Sequence, residues 1–157
     1  MPVILSDAQI AALIAEPKPL PLDYPGKVQT RPRRGHRERE LLVKGSNGSD
    51  FQLILRESLF NPLDFSVILA YILPQSNVLF RLRRCNGKSH EHTNKIESGK
   101  FYDFHVHYAT ERYQDSGFRE DAFAEVTSRF QDFSSALRCM LDECAFQFPT
   151  GDQMALI

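Results

Sequence analysis

Phe65-Ser66-Val67-Ile68-Leu69-Ala70-Tyr71-Ile72-Leu73 is a β-rich apolar run without a charged residue. A run of this length bounded by turn residues is a strand, and its lack of alternation predicts a central strand covered on both faces. Pro74-Gln75-Ser76-Asn77 closes it, and in Val78 to Arg84 the apolar Phe80 and Leu82 alternate with Arg81 and Arg83. Together these segments predict a hairpin. Upstream, Leu41-Leu42-Val43 is followed by the turn signal Ser46-Asn47-Gly48-Ser49 and then by Phe51, Leu53 and Leu55. This predicts a second hairpin, over about 37–44 and 50–57. Downstream, Phe101 to Tyr108 reads as one strand, with Tyr102, Phe104, Val106 and Tyr108 on one face and Asp103, His105 and His107 on the other. Ala122 to Thr127 reads as the last strand.

Helical periodicity appears near both ends. Ser6 and Gln9 have capping-box spacing ahead of Ile10, Leu13 and Ile14, which predicts a helix over about 7–15 ended by Pro17. The segment Pro17-Lys18-Pro19-Leu20-Pro21 is expected as an extended connector across the surface. Asp132 is placed to cap a helix whose apolar stripe is Phe133, Ala136, Leu137, Met140, Leu141 and Cys144. Strands in succession, without interleaved helices, predict an α+β domain. It is expected to have an antiparallel sheet of about six strands, with an N-terminal and a C-terminal helix packed on one face. The chain of 157 residues fits a single domain. Its expected parts are 1–30 (helix and connector), 31–148 (sheet and C-terminal helix) and 149–157 (a loose tail).

Net charge is −1, but the charge is polarised. Residues 27–44 hold seven Lys/Arg against two Glu, a local +5, and residues 78–112 hold seven against four acids, a local +3. Residues 113–157 hold three Arg against eight acids, a local −5. The basic middle can meet phosphates, or equally the acidic end of its own fold. Cys85, Cys139 and Cys144 form no C-x-x-C and no disulfide framework, which suits a reducing cytoplasm. No signal peptide is read at the start, and no apolar run is long enough for a membrane helix.

Residues with chemical potential concentrate between Arg81 and Arg112, where four of the five histidines occur as His90-Glu91-His92 and His105-Val106-His107. Three readings compete. Four neutral imidazoles can ligate zinc or copper, although the spacing matches no established zinc pattern. A pair of histidines can instead cleave RNA without a metal, one taking the 2′-hydroxyl proton and the other protonating the leaving oxygen. Arg81, Arg83, Lys95 and Arg112 would then hold phosphate. Or the histidines are a solvated polar face. The stretch Arg31 to Glu40 has its own pair of readings, phosphate contacts or a charged edge strand. No P-loop, no G-x-S-x-G and no H-E-x-x-H is present, which disfavours those chemistries.

The run Arg83-Arg84-Cys85-Asn86-Gly87-Lys88-Ser89-His90-Glu91-His92-Thr93-Asn94, followed by Phe104-His105-Val106-His107-Tyr108-Ala109-Thr110-Glu111-Arg112-Tyr113, resembles a known signature. The resemblance is to an uncharacterised family of small bacterial and phage proteins with the pattern N-G-K-S-H-x-H-x-N…F-H-x-H…T-E-R-Y. At greater distance it resembles the TumE-type toxins of toxin–antitoxin pairs. The resemblance implies His90, His92, His105, His107 and Arg112 as the positions to test, an adjacent antitoxin and an RNA target. The N-terminal half is longer than in the toxins, and no proline precedes the second histidine pair. The expectation carried forward is an RNA-directed toxin-like or defence-associated protein. Its catalytic candidates are His90, His92, His105 and His107, and its phosphate-binding candidates are Arg81, Arg83, Lys95 and Arg112. No metal and no cofactor are assigned, and the partners expected are RNA or an antitoxin, not a membrane. The alternative is a non-catalytic protein-binding accessory module.

Overall fold

The structure is a computed structural model, described here over residues 3–149. The expected loose tail lies, from residue 150 onward, outside the described residues. The fold is α+β. Among the described residues a helix stands near each end, α1 (Asp7–Ala15) and α4 (Phe133–Glu143), with two short ones between, α2 (Tyr24–Lys27) and α3 (Glu111–Asp115). Both end helices start where the sequence placed them. The Ser6 side chain accepts from Gln9 N, the Asp132 side chain accepts from Ser135 N, and each box is closed reciprocally.

The central sheet is antiparallel and has seven strands where about six were expected. In chain order they are β2 (Gln29–Arg33), β3 (His36–Lys44), β4 (Asp50–Ser58), β5 (Phe65–Ile72), β6 (Leu79–Asn86), β9 (His105–Tyr108) and β10 (Phe123–Val126). Their spatial order is β10-β9-β6-β5-β4-β3-β2, which puts β5 at the centre. Among the described residues, four two-residue strands lie outside this sheet. The strands β1 (Lys18–Pro19) and β11 (Phe146–Gln147) pair in parallel, and β7 (His92–Thr93) and β8 (Lys100–Phe101) pair antiparallel.

Strand β2 was hidden because the 31–40 stretch looks like one uniform charged segment. Gly35, at φ +75°, turns the chain there, and Arg31, Pro32 and Arg33 fold back on Glu38, Arg37 and His36. Pro32 is tolerable because β2 is an edge strand, fully exposed. The Arg31–Glu40 and Arg33–Glu38 ion pairs across this hairpin answer the charges locally.

Residues paired across strands share a face. The inner face collects Leu41, Leu53 and Leu69 in one row and Leu55, Val67, Cys85 and Val106 in the next. With Phe130, Ala136, Leu137 and Met140 they make one continuous core. The outer face carries Glu40, Ile54, Ile68, Arg84, His107 and Ala124 in a row, beside Glu38, Arg56, Ser66, Asn86, His105 and Val126. Ile68 and Ala70 are buried on this outer face, so β5 is covered on both sides, as its unbroken apolar run requires.

Two expectations need correction. The Pro17–Pro21 connector is extended but does not cross the surface. Lys18 and Leu20 are buried, because this segment pairs with β11 and closes the core. The strand expected over 101–108 is interrupted between β8 and β9, and Tyr102 is exposed rather than facing inward with Val106. The break frees the backbone before His105, and the carbonyl of Asp103 takes a hydrogen bond from the His105 ring instead of from a neighbouring strand.

Candidate metal centre

Strand β9 sends His105 and His107 to the outer face, and the β7–β8 hairpin brings His92 over them. The ring centroids lie 5.0 Å apart for His105–His107, 4.9 Å for His92–His107 and 5.5 Å for His92–His105. One nitrogen of each ring can be chosen so that all three lie within 4.8 Å of one another. Among the described residues no fourth His, Cys, Asp or Glu joins this group. His105 and His107 are 1% and 4% exposed, and His92 is half-buried at the outer side. The Phe101 ring packs on two of them, 5.3 Å from His92 and 5.4 Å from His105.

Each imidazole has one nitrogen committed to a fixed acceptor. His105 Nδ1 donates to the Asp103 carbonyl at 2.7 Å, and His107 Nδ1 donates to the Asp121 carbonyl at 2.8 Å. His92 Nε2 faces Asn94 Oδ1 at 2.8 Å, and that oxygen also accepts from Ala124 N at 2.9 Å while Asn94 Nδ2 donates to the Ala124 carbonyl. The amide orientation of Asn94 is thereby fixed by the backbone, and His92 must carry its proton on Nε2. The lone pairs left over are Nε2 of His105, Nε2 of His107 and Nδ1 of His92. Burial holds the ring of His105 down to about 4 and that of His107 to about 2, the latter also lowered by the positive charge of Arg84. Both are neutral imidazoles at physiological pH.

A second set of contacts holds the hairpin in place. The Tyr113 hydroxyl donates to Glu97 Oε1 at 2.5 Å and accepts from Ile96 N, and Arg112 pairs with the same carboxylate. The Arg112 guanidinium lies 4.7 Å above the Phe123 ring. Asn94, 7% exposed, ties the hairpin to β10 through both hydrogen bonds to Ala124. Replacing Asn94 by Ala removes the acceptor that orients His92 as well as that tether. For a metal ion held by these three rings, we expect Asn94→Ala to weaken binding about 10- to 100-fold. Asn94→Asp, which keeps the acceptor, should lose less; equal losses in a competition titration would mean that orientation of His92 is immaterial.

The structure sorts the residues singled out from sequence. It gathers His92, His105 and His107. His90 is exposed, with its Nδ1 3.1 Å from Ser89 Oγ, and lies outside the three-ring group. Arg81 pairs with Glu120, Arg83 with Glu143, and Arg112 with Glu97, while Lys95 is exposed on the hairpin turn. The acids 120, 121 and 143 thus answer the basic 81–84 segment from within the fold. Arg83 does not face the histidines. A register shift in the β5–β6 pairing leaves Leu82 unpaired between Arg81 and Arg83, so a β-bulge turns Leu82 and Arg83 both inward. Arg83 lies over the Tyr108 ring at 5.0 Å, and Arg84 stands opposite His107 on the outer face.

Arg84, Asn94 and Asp121 are the residues that reasoning from sequence left unassigned. Asp121 is fully buried, with its Oδ2 3.2 Å from Arg84 Nη2 and its Oδ1 3.2 Å from Arg119 Nη2. Comparison of the chain with protein-family models, with curated proteins and with solved structures found no match.

Proposed function

We propose that this protein is a metal-dependent catalytic domain in which His92, His105 and His107 hold a divalent transition-metal ion of the zinc class. The observation that carries the proposal is the set of second partners. Three imidazoles each spend one nitrogen on an acceptor fixed by the backbone, and the three rings stand close enough that one nitrogen of each lies within 4.8 Å of the others. Outer partners of this kind, carbonyl or amide oxygens on the far nitrogen, fix the tautomer and raise the basicity of metal-ligating histidines.

Three protein ligands are the number found in catalytic zinc sites, which keep a position for water, whereas structural sites close with four. A bound ion of this class lowers the pKa of its water toward neutrality and supplies a hydroxide nucleophile. The RNA-directed activity expected from sequence is accordingly proposed with metal-activated water in place of a histidine acid. The physical reason is that imidazoles held neutral down to about 4 and about 2 carry no proton to give at pH 7.

The test is elemental analysis and cobalt(II) titration of the purified full-length chain. We expect one equivalent of metal per chain and a rise in melting temperature on binding, with both lost in His105→Gln and His107→Gln. A wild-type chain that binds no zinc, cobalt or copper removes the proposal.

A further inference from the structure

Resting on the metal reading above, we infer that the centre takes an anionic ligand, a phosphoryl oxyanion bridging the bound ion and the guanidinium of Arg84. Arg84 faces His107 directly across the β6–β9 ladder, on the same side of the sheet. The two side chains share one neighbour. Arg84 Nη2 lies 3.2 Å from Asp121 Oδ2, and His107 Nδ1 donates to the Asp121 carbonyl at 2.8 Å. The guanidinium is therefore fixed beside the imidazole cluster rather than swinging in solvent, with its side chain only 18% exposed.

Charge balance points to an anion. Three neutral imidazoles bring no negative charge to offset a dication. The Asp121 carboxylate beside Arg84 is divided between Arg84 and Arg119. A loaded centre therefore leaves positive charge uncompensated in a buried place, which is costly unless an anion enters. Hydrogen bonding points the same way. Arg84 Nε is buried with no acceptor, and Asp121 Oδ2 makes no hydrogen bond despite its nearness to Arg84, so the pair is poorly aligned. An arginine satisfied by Asp121 alone would close on it bidentately. A phosphoryl group has enough oxygens to place one on the ion and others on the guanidinium. A carboxylate must divide its two, which makes it the weaker ligand.

The experiment uses the cobalt(II)-loaded full-length chain and reads its visible d–d absorption as inorganic phosphate, dimethyl phosphate or acetate is added. We expect phosphate to change the spectrum at a concentration at least about 10-fold lower than acetate does, with the phosphodiester in between. Arg84→Met should raise the phosphate requirement about 10-fold or more while still binding cobalt. Arg84→Lys keeps the charge that Asp121 needs, guards against misfolding of the first variant, and should fall between. Phosphate binding unchanged in both variants, or acetate equal to phosphate, overturns the oxyanion inference and leaves the metal reading standing. A wild-type chain that takes up no cobalt overturns both.

Discussion

With no metal bound, the protein should lose roughly 4 kcal/mol of stability as the pH falls from 7 to 5. His105 and His107 are buried as neutral rings, held at about 4 and about 2. In the unfolded chain both titrate near the ordinary value of about 6.5. The sign follows from proton counting. Above about pH 6.5 neither state binds these protons and the shifts have no effect. Below it the unfolded chain takes up two protons that the fold refuses, so stability falls as pH falls. One pKa unit is about 1.4 kcal/mol, so two histidines give a slope of roughly 2.7 kcal/mol per pH unit down to about pH 4. That is roughly 4 kcal/mol by pH 5, a large part of the 5–15 kcal/mol that holds a typical domain together. Urea midpoints of the chelator-treated chain at pH 7, 6 and 5 measure this directly. His105→Gln and His107→Gln should each flatten the profile, and equal wild-type midpoints at pH 7 and pH 5 would show that the rings are solvated. The proposed metal would add to the effect, because a saturating ion stabilises at pH 7 and is displaced by the same protons.

The part of this site that could be read from sequence was the part set by strand alternation. His105 and His107 had to share a face, since residues two apart on a strand do. What periodicity could not give was phase across an irregularity. Alternation carried from Phe80 through Leu82 predicts Arg81 and Arg83 on the histidine face, and one unpaired residue at Leu82 replaces Arg83 by Arg84. The same limit applies to the first histidine pair. His90 and His92 look equivalent as an i, i+2 pair, but the bridge at His92–Thr93 is only two residues long. It is placed by Asn94 and by the Glu97–Tyr113 contact, which are tertiary facts. The central sheet was more legible. Its long strands β3 to β6 are adjacent in sequence and joined by turns, so local signals suffice. Strand β2 and the β1–β11 pair depend on a single positive-φ glycine and on contacts between opposite ends of the chain.

Lys18→Met should cost about 3–5 kcal/mol, which for a chain of this size lowers the melting temperature by roughly 6–20 °C. Lys18 is fully buried, and its Nζ lies 2.9 Å from the carbonyls of Leu13, Ile14 and Glu16 and 2.8 Å from that of Cys144. An ammonium has three N–H groups, so one is shared between two of the four oxygens. Two of these carbonyls end α1, whose last turn has no basic residue, and the Cys144 carbonyl follows α4. The charge therefore joins both ends of the chain and also lies 4.6 Å from the Phe51 ring centroid. Burial works against it and pushes the amine down to about 8. Methionine relieves that penalty at almost the same volume, and in many buried ion pairs such a swap is harmless because both partners are removed together. Here the partners are backbone carbonyls that stay behind without a donor, and the cost of those acceptors outweighs the relief. The shift supplies a second readout. Between pH 8 and about 10.5 the unfolded chain keeps a proton that the fold has released, so wild-type stability gains with pH relative to the methionine variant. A variant melting within about 2 °C of wild type at pH 7 would mean that water, not the ammonium, satisfies those carbonyls.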